Sequence, residues 1–278
     1  MKFYSLVAAA AFTAAVANAQ LKTPAPSPLQ TVKQAFALSD VTLEYSRPSA
    51  KDRAVFGGLV PYNKVWRTGA NASSKITFGE DVTFGGKPVK AGTYAIYTIP
   101  NQDKWDVMLY SDVNLAGNVA KYDNSKEVAR VAAKTSQMTG KVETFTMQFQ
   151  NVSDNSMDLE LRWENARVIV PIRADIDEKI MKSIENNVTK DNRPYFQAAN
   201  YYYANNKDMN QALTWANKAL EQNPSAFWVQ ALKARIQLKQ NDKKGAAATA
   251  QKVIDLASEA QNDDYVQIGK DILKQTKG

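Results

Sequence analysis

The chain has 278 residues, with 35 basic and 28 acidic side chains, no histidine, no cysteine and a formal net charge of +7. The missing imidazole and thiol groups exclude Ser-His-Asp and Cys-His nucleophile systems, disulfides, and the common Zn and Cu centres, leaving carboxylates, Lys, Tyr and Ser-Lys pairs for any catalysis. Acidic and basic residues are interspersed, which speaks against a nucleic-acid partner. No Asp-rich loop with a Gly at its turn offers a Ca²⁺ site, so no metal and no cofactor is expected.

Met1-Lys2, an apolar run from Phe3 to Val16 and then Ala17-Asn18-Ala19 have the parts of an export signal cut after Ala19. That run is rich in Ala and too short to span a bilayer, and no later stretch is apolar enough, so no transmembrane segment is expected in the mature chain. The expected location is the periplasm or the exterior. Residues 20–37, with Pro24, Pro26 and Pro28, read as an extended linker. Order is expected to begin near Val41, where Val41, Leu43 and Tyr45 alternate with Thr42, Glu44 and Ser46 as in a half-buried strand.

Further strands are predicted at Lys75–Phe78, Val82–Phe84, Thr93–Ile99, Trp105–Tyr110, Thr144–Phe149, Met157–Trp163 and Val168–Ile172, with Gly85-Gly86 suited to a tight hairpin. Their spacing predicts an antiparallel sandwich or barrel over residues 38–173. Between Val113 and Gly140 the Ala-rich stretch after Ser125 reads as a short helix or else a long loop. Residues 174–190 have the spacing of a connecting helix, with Ile176, Ile180, Met181 and Ile184 on one face. Over residues 191–278, Ala212, Ala216, Ala219 and Leu220 recur 34 residues on as Ala246, Ala250, Val253 and Ile254, and Asp208 recurs as Asp242. That period resembles the tetratricopeptide repeat, followed by an end helix from Asp264 to Lys274. The whole chain is therefore read as α+β: an all-β first part and an all-α helical-hairpin repeat.

The densest polar-aromatic segment is YSRPSAKDRAVFGGLVPYNKVWRTGAN, from Tyr45 to Asn71. Arg47, Arg53, Trp66, Arg67 and Asn71 within it, with Glu164 further on, are the candidate ligand-binding residues. Arg beside Trp makes a flat cationic surface suited to carboxylates or sugar faces. The same residues serve equally to fill a core and to satisfy loop carbonyls and buried carboxylates. No residue is assigned a catalytic role. Among the acids, Asp158 and Glu160 alternate on one strand face, the usual pattern of a solvated face.

That segment, AGTYAIYTIP at 91–100 and LRWE at 161–164 together resemble the DUF2911 family of exported bacterial proteins. The resemblance covers about Val41 to Arg173. It implies an all-β domain in the envelopes of Bacteroidetes-type bacteria, without established catalytic residues. Three readings follow. The first is a non-enzymatic binding or scaffold module whose helical repeat takes a protein or peptide. The second is a β-domain that binds a glycan or an anionic small ligand. The third is a carboxylate-based hydrolase, which needs two acids at a fixed separation across a cleft.

Overall fold

A computed structural model describes residues 23–188 and 194–277. Met1–Ala19, where the export signal is expected, lies outside the described residues. The chain divides into two compact units, one ending at Asp175 and the other starting at Ile176.

Nine strands make the first unit: β1 (Leu29–Phe36), β2 (Ser39–Ser46), β3 (Ala70–Phe78), β4 (Val82–Phe84), β5 (Lys87–Val89), β6 (Gly92–Ile99), β7 (Lys104–Tyr110), β8 (Glu127–Gln150) and β9 (Ser156–Arg173). Their order is β1-β2-β3-β6-β7-β8-β9-β4-β5, antiparallel throughout. The sheet folds back on itself through β8, whose first part pairs with β7 up to Lys134 and whose remainder pairs with β9 from Thr135 onward. Tyr45 on β2 thereby reaches β8, donating to the Met147 carbonyl and accepting from the Met147 N–H, both at 2.8 Å. The end strands β1 and β5 are not paired with each other, so the arrangement is a sandwich and not a closed barrel.

The interior is large and aromatic. Trp105, Trp163, Phe78, Phe84, Phe145, Leu43, Ile76 and Ile96 are buried between the folded halves. Phe56, Trp66, Trp105, Phe145 and Trp163 form one ring cluster with centroids 4.8–6.4 Å apart, mostly edge to face, the geometry ring quadrupoles prefer. Trp66 lies nearly parallel to Trp163 at 5.8 Å. Gly85 and Gly86 turn the β4–β5 hairpin with φ of +55° and +82°, angles that cost glycine nothing.

Two expectations are corrected here. Residues 29–36 are not part of an extended linker but form β1, which runs alongside β2 from Leu29↔Ser46 to Phe36↔Ser39. The Ala-rich stretch after Ser125 is neither helix nor loop. It is the start of β8, because pairing with β7 buries Ala129 and Ala133 on one face and overrides alanine's preference for helix.

The second unit holds α1 (Asp177–Asn187), α2 (Tyr195–Ala204), α3 (Met209–Gln222), α4 (Phe227–Lys239), α5 (Lys243–Glu259) and α6 (Asp263–Thr276). The two aspartates 34 residues apart do the same work. Asp208 caps α3 by accepting from the Asn210 and Gln211 N–H groups, and Asp242 caps α5 by accepting from the Gly245 N–H. Ala212, Ala216, Ala246 and Ala250 are fully buried, so the helices approach on small side chains. Ile184 and Val188 join the same core as Trp215 and Leu220, and Asp177 on α1 takes the Tyr201 hydroxyl (2.6 Å) and Lys207 (2.8 Å). Lys207 and Tyr201 hold the Asp177 carboxyl below the usual carboxylate range. No described helix is long and apolar enough to cross a membrane.

Candidate functional site

The segment from Ser46 to Ala70 joins β2 to β3 and is fastened at both ends. Arg47 donates from Nε to the Phe145 carbonyl (3.1 Å) and from a terminal nitrogen to Thr146 Oγ1 (2.8 Å). Arg53 closes its own turn, donating to the Ala50 and Ser49 carbonyls at 2.8 Å each. At the far end Trp66 and Thr98 exchange backbone hydrogen bonds of 2.7 and 2.9 Å, extending β6 by a bridge. The Trp66 indole N–H donates to the Gly69 carbonyl at 3.1 Å. Thr68, fully buried, has φ +56°, a conformation strained for a β-branched residue. It is held there by Ser74, which donates to the Thr68 carbonyl at 2.6 Å, and by a 3.1 Å bond from its hydroxyl to Thr98.

Between these fastenings the segment lays Phe56 and Tyr62 beside the β6–β7 turn and the part of the β8–β9 pair around Gln137 and Ala166. A cleft of about 500 Å³ opens there, lined by Phe56, Tyr62, Trp105, Gln102, Asp103, Lys134 and Gln137. A second hollow of about 290 Å³ shares Phe56, Tyr62, Gln137 and Ala166 with it and extends to Lys141, Glu164 and Asn165. The hollow exists because β8 bulges. Gln137 faces Ala166, yet the next paired residue, Val142, faces Glu164, so β8 carries extra residues that push Lys141 outward. Opposite, Glu164 takes φ +48°. Its carboxylate accepts the Val55 N–H at 3.0 Å and lies 3.6 Å from the Lys141 ammonium. Asn101 braces the rim by donating to Asn63 Oδ1 at 2.8 Å. Gln102, Asp103, Lys134 and Gln137 are exposed at the mouth, above a half-buried aromatic floor.

The sequence candidates do not converge on one spot. Glu164 lines the hollow, and Trp66 belongs to the ring cluster beneath the cleft, against Phe56 and Trp105. Arg47 and Arg53 are spent on backbone carbonyls and, for Arg47, on the Thr146 hydroxyl. Asn71 donates to the Ser27 carbonyl and to Ser46 Oγ, both at 3.2 Å, tying down β1's approach. Arg67 has its Nε buried without a hydrogen-bond partner, beside Gly117. Among the described residues no hydrogen bond or ion pair joins Arg47, Arg67 and Glu164.

Phe56, Tyr62 and Gln137 were missed as site residues. Phe56 and Tyr62 stood inside the segment that was singled out, but nothing in the sequence marks Gln137.

One expected solvated face is buried. Glu160 is 3% exposed, with Arg162 Nε at 3.2 Å and Arg167 Nε at 2.6 Å from its oxygens and Gln148 donating at 2.7 Å. The two guanidinium N–H bonds do not point along those lines, so the arginine contacts are mainly Coulombic. Gln148 is the member that ties this β9 cluster to β8.

An antiparallel sandwich with a polar cleft over an aromatic floor is the class of domain these features define. Residues 27–172 match the family model DUF2911, a protein family of unknown function. The chain belongs to that family. No curated protein and no solved structure matches it.

Proposed function

We propose that the chain is a non-enzymatic binding module of the bacterial envelope, whose β-domain cleft receives a polar small ligand of the carbohydrate class. The observation that carries this reading is the cleft itself. Half-buried Phe56 and Tyr62 offer ring faces to C–H groups, and Gln102, Gln137 and Asp103 offer paired donors and acceptors to hydroxyls. Hydrolysis has less support, because the Glu164 carboxylate is engaged by the Val55 N–H and by Lys141. Export after Ala19 is part of the proposal. So is a tetratricopeptide-like role for the second unit, in which α2–α5 face a protein or peptide. The supports for that role are the 34-residue recurrence and the matched Asp208 and Asp242 caps.

Tryptophan fluorescence tests the cleft, since Trp105 lies in its floor. Titration with a panel of neutral oligosaccharides is expected to give saturable binding for at least one. Phe56→Ala is expected to weaken that binding about tenfold, or ~1.4 kcal/mol. No saturable response from any sugar at millimolar concentration sinks the carbohydrate reading.

A further inference from the structure

Arg67 carries a second, separate feature. Strand alternation puts Trp105, Val107 and Leu109 of β7 on the inner face, and Met108 and Tyr110 on the outer one, where they pack with Ala95 and Tyr97 of β6. The loop after β7 crosses this outer face, seating Leu115 and Tyr122 on the cluster. The strained Trp66–Gly69 turn sends Trp66 into the interior ring cluster and Arg67 beneath this loop.

There the guanidinium is half-buried, and among the described residues its Nε has no hydrogen-bond partner and no carboxylate forms an ion pair with it. A buried donor left unpaired, next to an unneutralised charge, is costly enough to need a reason. Gly117 lies directly over Arg67, and a Cβ there would sit 2.5 Å from a terminal nitrogen. Beside it the Tyr97 hydroxyl donates to the Ala116 carbonyl (2.9 Å) and accepts from Ser73 (2.8 Å). Among the described residues that 2.9 Å bond is the one hydrogen bond tying Val113–Asn118 to the strands. Asp112, an acid close enough to act on Tyr97, is already held by Lys126 (3.1 Å) and the Asn114 N–H (3.1 Å). Burial pushes the Tyr97 hydroxyl up from its ordinary pKa, so it stays a donor at neutral pH.

We propose that Arg67 and Tyr97 form a binding site for a small oxyanion, a carboxylate or a phosphate, on the outer face of β6 and β7. Lifting the Ala116–Gly117 strap breaks a single hydrogen bond. It uncovers the terminal nitrogen that Gly117 covers, whose two N–H groups suit an oxyanion. The Tyr97 hydroxyl, released from Ala116, supplies the third donor. This site is distinct from the cleft, and its anion is a different ligand from the neutral sugars proposed there.

The test is thermal unfolding of the full chain in sodium phosphate, sodium acetate or sodium chloride at matched ionic strength. Phosphate or acetate is expected to raise Tm saturably, by about 2–4 °C beyond chloride, and the raising anion identifies the ligand class. Arg67→Gln is expected to abolish the saturable part. No rise beyond chloride overturns the site, as does an equal rise in Arg67→Gln. Should Arg67→Gln not fold, Gly117→Ala replaces it, because its methyl would sit 2.5 Å from the guanidinium and push the strap open. A tighter apparent affinity in that variant supports the site, because the methyl disfavours the closed strap, and an unchanged or weaker affinity overturns it.

Discussion

The two units solve the same packing problem with opposite materials. The β-domain fills its interior with tryptophan, tyrosine and phenylalanine and holds its loops by strained residues such as Thr68 and Glu164. The helical unit brings its elements together on alanines, with aspartates or an asparagine capping α3, α5 and α6. Large side chains leave mismatched spaces where they meet loops, and the cleft and the Arg67 strap both lie there. Small side chains repeated at a fixed interval leave a regular surface. The difference teaches where to look for a ligand: beside the irregularities.

Three substitutions or conditions sharpen that contrast, the largest effect first. Trp163→Ala removes a 1%-exposed side chain from the centre of the ring cluster and is expected to cost about 3–5 kcal/mol. Loss of near-UV circular dichroism at a lower temperature than in the parent chain measures it, and an unchanged transition would show that the cluster is not the domain's core. Ala250→Leu inserts bulk where α5 meets Ala234 and Ile272, and is expected to cost about 1–3 kcal/mol by overpacking. Ellipticity at 222 nm reads that loss. If the leucine is tolerated without loss, the helices are not spaced by small residues.

The smallest effect is one of pH. Arg130 holds the Glu127 carboxyl below its ordinary range, through contacts of 2.6 and 2.9 Å. A depressed folded-state pKa contributes stability that is complete above the ordinary carboxylate range and is lost as pH falls through the depressed value. The pair is partly exposed, so its share is expected to be under about 1 kcal/mol. Comparing Glu127→Gln with the parent chain between neutral and acidic pH measures it. The two stabilities should converge as the pH falls, and a constant gap would assign the effect to packing instead.

How much of this was legible in the sequence follows the same division. β2 was visible because Val41, Leu43 and Tyr45 bury one face and leave Glu44 in water. The helical spacing was visible because each alanine contact is local and repeated. β1 was not, because it is an edge strand whose residues are mostly exposed or half-buried, and its Gln, Thr and Lys look like a linker. The start of β8 misled because its alanines are good helix formers whose fate is set by pairing with β7, remote in sequence. The charged residues of the first unit drew notice, but the groups they meet come from segments remote in sequence: Val55 for Glu164, Phe145 for Arg47, Gly117 for Arg67. No local pattern encodes such pairings.

The fold-back through β8 also has a consequence in time. Tyr45 and its Met147 partner are separated by 102 residues, and Arg47 and Phe145 by 98. Closing such long loops is entropically uphill before any contact rewards it, so topologies of this kind fold slowly. While the chain is being synthesised, β2 must wait without its partner until most of the β-domain has followed, with Leu43 and Tyr45 still in water. The segment most exposed to premature association is therefore the first half of the sheet. The edge residue Lys33, paired with Asp40 at 3.0 Å, sits where a charge would discourage a stray strand from joining.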